Sequence, residues 1–238
     1  MSLDLVLQYL FSPTFFHGAL MTLLITVSSL VFGLLAGFLL ALVNQVKFPP
    51  VKWLAVLYLW LFRGTPVLFQ IIFIYNVLPT FGIRLSAFAS GVIALSLNEG
   101  AYMAEIIRSG LQAIKSGQRT AGMALGMTKL TVMRYVVLPQ AARIMLPPIG
   151  NQTIGMLKTS ALVSVIAVED LLLVANQSAS ATFRYFEALS AAGIYYLALT
   201  TIFMAGQYWM ERTLEPKRSR APKPSTFSIL SQPAAEKN

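Results

Sequence analysis

From Gly18 to Asn44 the chain carries no charged residue, and the heart of this stretch reads LLITVSSLVFGLLAGFLLALV. A helix crosses the hydrocarbon core of a bilayer with about 20 apolar residues, so this stretch points to a membrane span. Helix is the default there, because lipid offers no hydrogen bonds to backbone amides. The alternating ten-residue segments of a membrane barrel are absent. Composition agrees: 56% of the 238 residues are apolar and the mean hydropathy is +0.68, against roughly 45–50% apolar in ordinary soluble domains.

Four more spans follow. One runs from Lys52 to Leu78 and is interrupted by Arg63-Gly64-Thr65-Pro66. Another runs from Ser86 to Arg108. A third, Arg143 to Val168, holds Pro147, Pro148, Gly150, Gly155 and Lys158, which predicts a broken or bent helix. The last, Ala188 to Met210, ends in a Tyr208-Trp209 belt. The expected fold class is all-α, a polytopic membrane protein with five transmembrane helices. Residues 1–17 form an N-terminal segment outside the membrane body, 18–212 the body itself, and 213–238 a disordered basic tail rich in Pro, Lys, Ser and Ala. The N-terminus lacks the basic region and small-residue cleavage site of a secretory leader, so it is expected to stay in the mature chain.

The charge excess of +9 would suit nucleic acid, but its placement fits topology better. With the N-terminus outside, the inner segments hold Lys47, Lys52, Arg108, Lys115, Arg119, Lys129, Arg134 and Arg143. The tail adds Arg212, Lys217, Arg218, Arg220, Lys223 and Lys237, and only Arg84 and Arg184 fall outside. The positive-inside rule then puts the C-terminus in the cytoplasm. Absence of cysteine removes thiol chemistry and Cys-based zinc sites, and the lone His17 removes a His-rich metal site. Paired aspartates, a Ser–His arrangement and H-E-x-x-H are missing, which argues against an intramembrane enzyme.

Between the third and fourth spans lies a patterned polar loop, at about 110–140. In QRTAGMAL, Ala121, Ala124 and Leu125 share one helix face. Gly126 suits the left-handed residue after a helix, Thr128 can cap a second helix, and Pro139 is expected to stop that helix. Such a helix pair can lie on the bilayer as an amphipathic elbow, or offer a docking face to a soluble partner.

The run Gly117-Gln118-Arg119-Thr120-Ala121-Gly122-Met123-Ala124-Leu125-Gly126, followed by Leu138-Pro139-Gln140-Ala141, resembles the EAA loop of ABC importer permeases, most of all the polar amino acid subfamily. Three other segments agree in order. Arg63-Gly64-Thr65-Pro66 with Gln70 is similar to that family's R-G-T-P segment. Gly100-Ala101-Tyr102-Met103-Ala104-Glu105-Ile106-Ile107-Arg108 is similar to its A-Y-x-A-E-x-x-R segment. Lys158 to Leu162 with Val163-Ser164-Val165-Ile166 is similar to its K-D-T-S-L-x-S-x-I segment. The sequence departs from the family where Thr120-Ala121-Gly122 stands for Glu-Ala-Ala and Thr159 for the Asp.

The resemblance implies a type I importer permease with a cytoplasmic coupling helix, in the inner membrane of a bacterium. Its partners would be an ABC ATPase dimer, a second permease subunit of the same or a related chain, and a periplasmic or surface-tethered solute-binding protein. It would be a transport subunit rather than an enzyme. No G-x-x-x-x-G-K-[ST] loop occurs, so ATP and Mg would be bound by the partner and no cofactor by this chain. Gly117, Gln118, Ala121, Ala124, Leu125 and Gly126 would form the ATPase contact. A metal-chelate, methionine or organic-ion permease, or a stand-alone carrier or channel, are the competing classes.

Ionisable residues inside a bilayer are costly and need a reason. Arg63 can bond a carbonyl freed by Pro66 or meet a substrate carboxylate. Glu105 can pair with Arg108. Glu99, beside Asn98, can face inward or pair with Lys158 or Arg63. Lys158, with the hydroxyls of Thr159 and Ser160, can meet a carboxylate or reach to the interface. Tyr102 can line the path or pack, and Asn151 and Gln152 can bond between helices. Loss of the acid at Thr159 predicts a neutral or acidic amino acid in preference to a basic one.

Overall fold

A computed structural model describes residues 2–43 and 48–214. The expected tail lies outside the described residues apart from its first two positions, as do Asn44 and Lys47. Among the described residues there are helices and no strands. In chain order they are α1 (Leu3–Leu10), α2 (Pro13–Val43), α3 (Pro49–Gly64), α4 (Val67–Val77), α5 (Ala87–Gln112), α6 (Ser116–Ala124), α7 (Lys129–Val132), α8 (Leu138–Thr159), α9 (Leu171–Thr182) and α10 (Tyr185–Leu214).

Two of these, α2 and α10, are long and apolar enough to cross a membrane unaided, and α3 with α4 adds a third if the bent pair counts as one crossing. Helices α5 and α8 have the length but interleave charge, with Glu99, Glu105 and Arg108 on the first and Arg143 and Lys158 on the second. Tyr208 and Trp209 are exposed near the end of α10, Trp209 at 72%.

Helices α2 and α5 form the closest seam. Ser29, Gly33, Gly37 and Ala41 recur every fourth residue on α2, and all are buried. That spacing puts them on one stripe of the helix. They face Ser96, Gly100 and Ala104 of α5, which are buried at the same spacing. A Cβ on Gly37 would lie 2.5 Å from Met103 Cβ, and one on Gly33 2.7 Å from Glu99 Cβ. Lipid gives apolar side chains no reason to leave it, so helices in a bilayer associate through such close backbone approach and through interhelical hydrogen bonds. Thr22 and Thr26 supply the latter: Leu171 N–H donates to Thr22 Oγ1 (3.0 Å) and Thr26 Oγ1 donates to Ser160 Oγ (3.2 Å).

The interruption after Arg63 is a 105° bend between α3 and α4. Pro66 has no N–H for the Phe62 carbonyl, four residues back. The side chains of Gln70 and Asn98 replace it, donating to Phe62 O at 3.0 and 2.9 Å. Asn98 also donates to Gln70 Oε1 (3.1 Å), which ties the bend to α5.

Several sequence expectations change. Pro139 does not stop a helix: α7 passes through a π-helical stretch, Met133–Val137, straight into α8, and Pro139 sits in the first turn of α8. The wider π turn absorbs a residue whose ring would clash with the carbonyl four back. Pro147 and Pro148 lie inside a continuous α8. The break expected within Arg143–Val168 falls near its end, where a 3-10 segment, Ser160–Ile166, ends on Ala167 with φ of 59°.

The N-terminal segment is helical, with α1 at Leu3–Leu10 and the start of α2 at Pro13. Helix α1 docks on α10, with Tyr195 OH donating to Leu10 O (2.7 Å) and Ser2 N–H donating to the buried Glu187 (3.2 Å). Helix α9 was not expected at all. Asp170 caps it, accepting from Leu172 and Leu173 N–H at 3.3 and 3.0 Å. Ala175 and Ala179 of α9 bury against Ala188, Ala191 and Ala192 of α10.

Candidate coupling surface and transport pathway

The loop after α5 builds a helix with two unlike faces. Helix α6 ends at Ala124 with Leu125 as its C-cap, and Gly126 takes a left-handed φ of 79°, a conformation that costs glycine little. Thr128 then caps α7, accepting from Thr131 N–H at 3.2 Å. One face of α6 is pinned. Gly122 is buried against Val132, where a Cβ would meet Cγ2 at 2.9 Å, and Arg119 donates to Leu111 O at 3.0 Å. The other face is bare: Gly117, Gln118, Ala121, Ala124, Leu125 and Gly126 are all exposed, Leu125 at 83%. A hollow of about 290 Å³ beside it is lined by Arg119, Met123, Lys129, Val132, Met133 and Val137.

The residues read as a substrate path fall into three groups, with Asn98 apart from them. Arg63 and Tyr102 come together with Glu105. The Arg63 guanidinium lies over the Tyr102 ring, 5.6 Å from its centroid, and Nη1 is 3.9 Å from Glu105 Oε2. Glu105 also pairs with Arg108, as the sequence spacing allows, and Arg108 donates to Gln112 Oε1 (3.1 Å). Arg63 therefore does not bond the carbonyl freed by Pro66; Gln70 and Asn98 do.

Glu99 stands apart. It is 1% exposed, between α5 and α8, and accepts from Gln152 Nε2 at 3.1 Å. Its other oxygen is buried with no hydrogen-bond partner. Neither Lys158 nor Arg63 pairs with it; of the two arrangements open from the sequence, the ion pair is not formed and the acid is buried against a neutral amide.

Lys158, Thr159 and Ser160 form the third group, at the end of α8. Lys158 is exposed, whereas the two hydroxyls are turned to the backbone: Thr159 Oγ1 donates to Gly155 O (3.0 Å) and Ser160 Oγ to Leu157 O (2.8 Å). Ser160 is buried against Thr26. Asn98, on α5, is half-buried and bonded to the α3–α4 bend through Phe62 O and Gln70.

A family described as "Binding-protein-dependent transport system inner membrane component" matches residues 29–216. The chain belongs to this family. Among curated relatives, it is 38% identical over 234 residues to the arginine transport system permease protein ArgU of Corynebacterium glutamicum, covering 91% of this chain and 73% of that one. It is 39% identical over 204 residues to the arginine transport system permease protein ArtQ of Bacillus subtilis, covering 85% and 93%. The glutamine transport system permease protein GlnP of Escherichia coli is 38% identical over 196 residues, covering 80% and 88%. A crystal structure of an amino acid ABC transporter with histidines superposes with a TM-score of 0.83 at 42% identity, covering 90% of this chain and all of that one. A MetNI methionine ABC transporter, at 16% identity and a TM-score of 0.73, shares the fold.

An ABC permease of this family is an inner-membrane transport subunit, and its ATPase resides in a separate chain. For this permease, sequence reasoning missed four contributors. Gly33 and Gly37 carry a small-x-x-x-small signal that was readable, but its partner stripe on α5 was not. Gln70 was noted only as part of a motif, and its role emerges from the bend. Tyr58, whose OH donates to Leu97 O at 2.6 Å and so ties α3 to α5, left no sequence signal.

Proposed function

We propose that this chain is one of a pair of permease subunits in an ATP-driven amino acid importer, and that α6 is the handle its ATPase grips. The observation that carries the reading is the bare face of α6. A helix held on one side by Gly122 and Arg119, with its capping leucine 83% exposed on the other, is finished only when something covers it. Gly117, Gln118, Ala121, Ala124, Leu125 and Gly126 make the contact. Small residues let a partner groove approach closely, and shape serves in place of the acid that Thr120 lacks. Nucleotide-driven closure of the ATPases would then rock the bundle as a two-state rigid body.

In this reading the membrane body spans 18–212 with the loop at about 110–140. The crossings are α2, the bent α3–α4 pair, α5, α8 with its 3-10 extension, and α10. The N-terminus is outside, and the basic tail from 213 onward is inside. A solute-binding protein delivers the amino acid from outside. Deleting Gln118–Gly126 should leave the chain in the membrane and abolish co-purification of the ATPase. Intact co-purification and uptake would defeat the assignment.

The substrate follows from charge. Arg63 and Lys158 are exposed cations suited to a carboxylate, and Glu99 adds a buried acid to the bundle. Relatives named for arginine favour a cationic side chain, against the neutral or acidic preference read from Thr159. Competition for uptake in proteoliposomes holding the whole transporter decides between them. Arginine should compete more strongly than glutamate; the reverse order restores the earlier reading.

A further inference from the structure

The polar contacts around Glu105 run from the α3–α4 bend to the end of α5, beside the carbonyl that receives the loop helix. Arg63 is in the last turn of α3, next to Gly64, where a Cβ would meet nothing within 4 Å. It stands beside a hinge with room to move. Its guanidinium leans on Tyr102 and reaches Glu105 only at 3.9 Å. Arg108 holds the same carboxylate with two of its nitrogens and also donates to Gln112, the last residue of α5. The neighbouring Leu111 carbonyl accepts from Arg119 of α6. One carboxylate thus serves two cations, one on each side of a seam between elements, and serves them unequally.

Exposed ion pairs add little to stability, and Arg63 and Arg108 side chains are each 43% exposed. Their value lies elsewhere. A carboxylate held by Arg108 on its own helix and reached loosely by Arg63 on α3 shifts its share toward or away from Arg63 when α3 moves against α5, which suits a contact that reports movement.

We propose that Glu105 is a positioning residue that transmits motion of α6 to the α3–α4 bend by exchanging its carboxylate between Arg108 and Arg63. The proposal rests on α6 being the ATPase contact. Its test uses the complete transporter in proteoliposomes with uptake, ATP hydrolysis and ATPase co-purification measured on the same samples. Glu105→Gln should lower amino acid uptake per ATP about tenfold, in the usual range of coupling between sites, with the ATPase still bound and hydrolysing. Glu105→Asp should recover part of the ratio. Arg63→Gln should lower it too, and the double variant should be no worse than Glu105→Gln alone. An unchanged ratio in both single variants, or losses that multiply in the double variant, would overturn the proposal. Failure of the unaltered chain to bind its ATPase would instead overturn the reading of α6.

Discussion

The α2–α5 seam and the loop helix α6 both depend on small residues and use them in opposite ways. On α2, Ser29, Gly33, Gly37 and Ala41 are buried against α5. On α6, Gly117, Ala121 and Ala124 repeat a similar spacing and are exposed, and a Cβ on Gly117 would meet nothing within 4 Å. Small residues permit close approach of another backbone. In the seam that backbone is supplied by the same chain; on α6 it is not. The first is closed within the chain, and the second is the surface proposed above as the ATPase contact.

The largest test of this contrast is a leucine at one glycine of each kind. Gly37→Leu places atoms where Met103 Cβ and the Ala104 backbone nitrogen already stand, at 2.5 and 2.9 Å. Overpacking a core costs about 1–3 kcal/mol, and here α2 and α5 would have to part along the stripe. Gly37→Leu should strip the detergent-solubilised chain of its cooperative melting and its monodisperse profile on gel filtration. Gly117→Leu should melt like the unaltered chain while binding ATPase less tightly. Equal melting of the two variants would show that the seam is not the closed contact described.

The same contrast explains what was legible in the sequence. Helix α2 could be read from its uncharged run, because hydropathy over a long segment is a local property. The interruption at Arg63 to Pro66 was also local, as were the Gly126 turn and the Thr128 cap, which depend on backbone chemistry at one or two residues. Pairings across the fold were not. Glu99 declared itself as a charge needing a partner, but Gln152 is 53 positions away. Pro139 misled because a π stretch, Met133–Val137, precedes it and carries the chain on into α8. Helix α9 was hidden by its short, small and polar residues, although Asp170 before Leu171-Leu172-Leu173 was a readable cap.

The smallest effect is the most discriminating. Thr128 Oγ1 accepts from Thr131 N–H at 3.2 Å at an exposed helix start, and removing such a cap costs about 1 kcal/mol. Helix α7 is one turn long and feeds the π stretch and α8, while its Val132 is the residue that seats Gly122 of α6. Thr128→Ala should therefore loosen the footing of α6 and leave the seam alone. Local opening and global melting are separate events when the opened segment shares few contacts with the core. The melting temperature should stay within error. Hydrogen exchange at Thr131 and Val132 should quicken by roughly fivefold, the factor that about 1 kcal/mol commands. ATPase affinity should fall by less than that, because the exposed contact residues are untouched and only their orientation is less well held. Melting lowered as far as by Gly37→Leu would mean that the handle and the seam are one cooperative unit, and that the division between a rigid body and an appended grip is wrong.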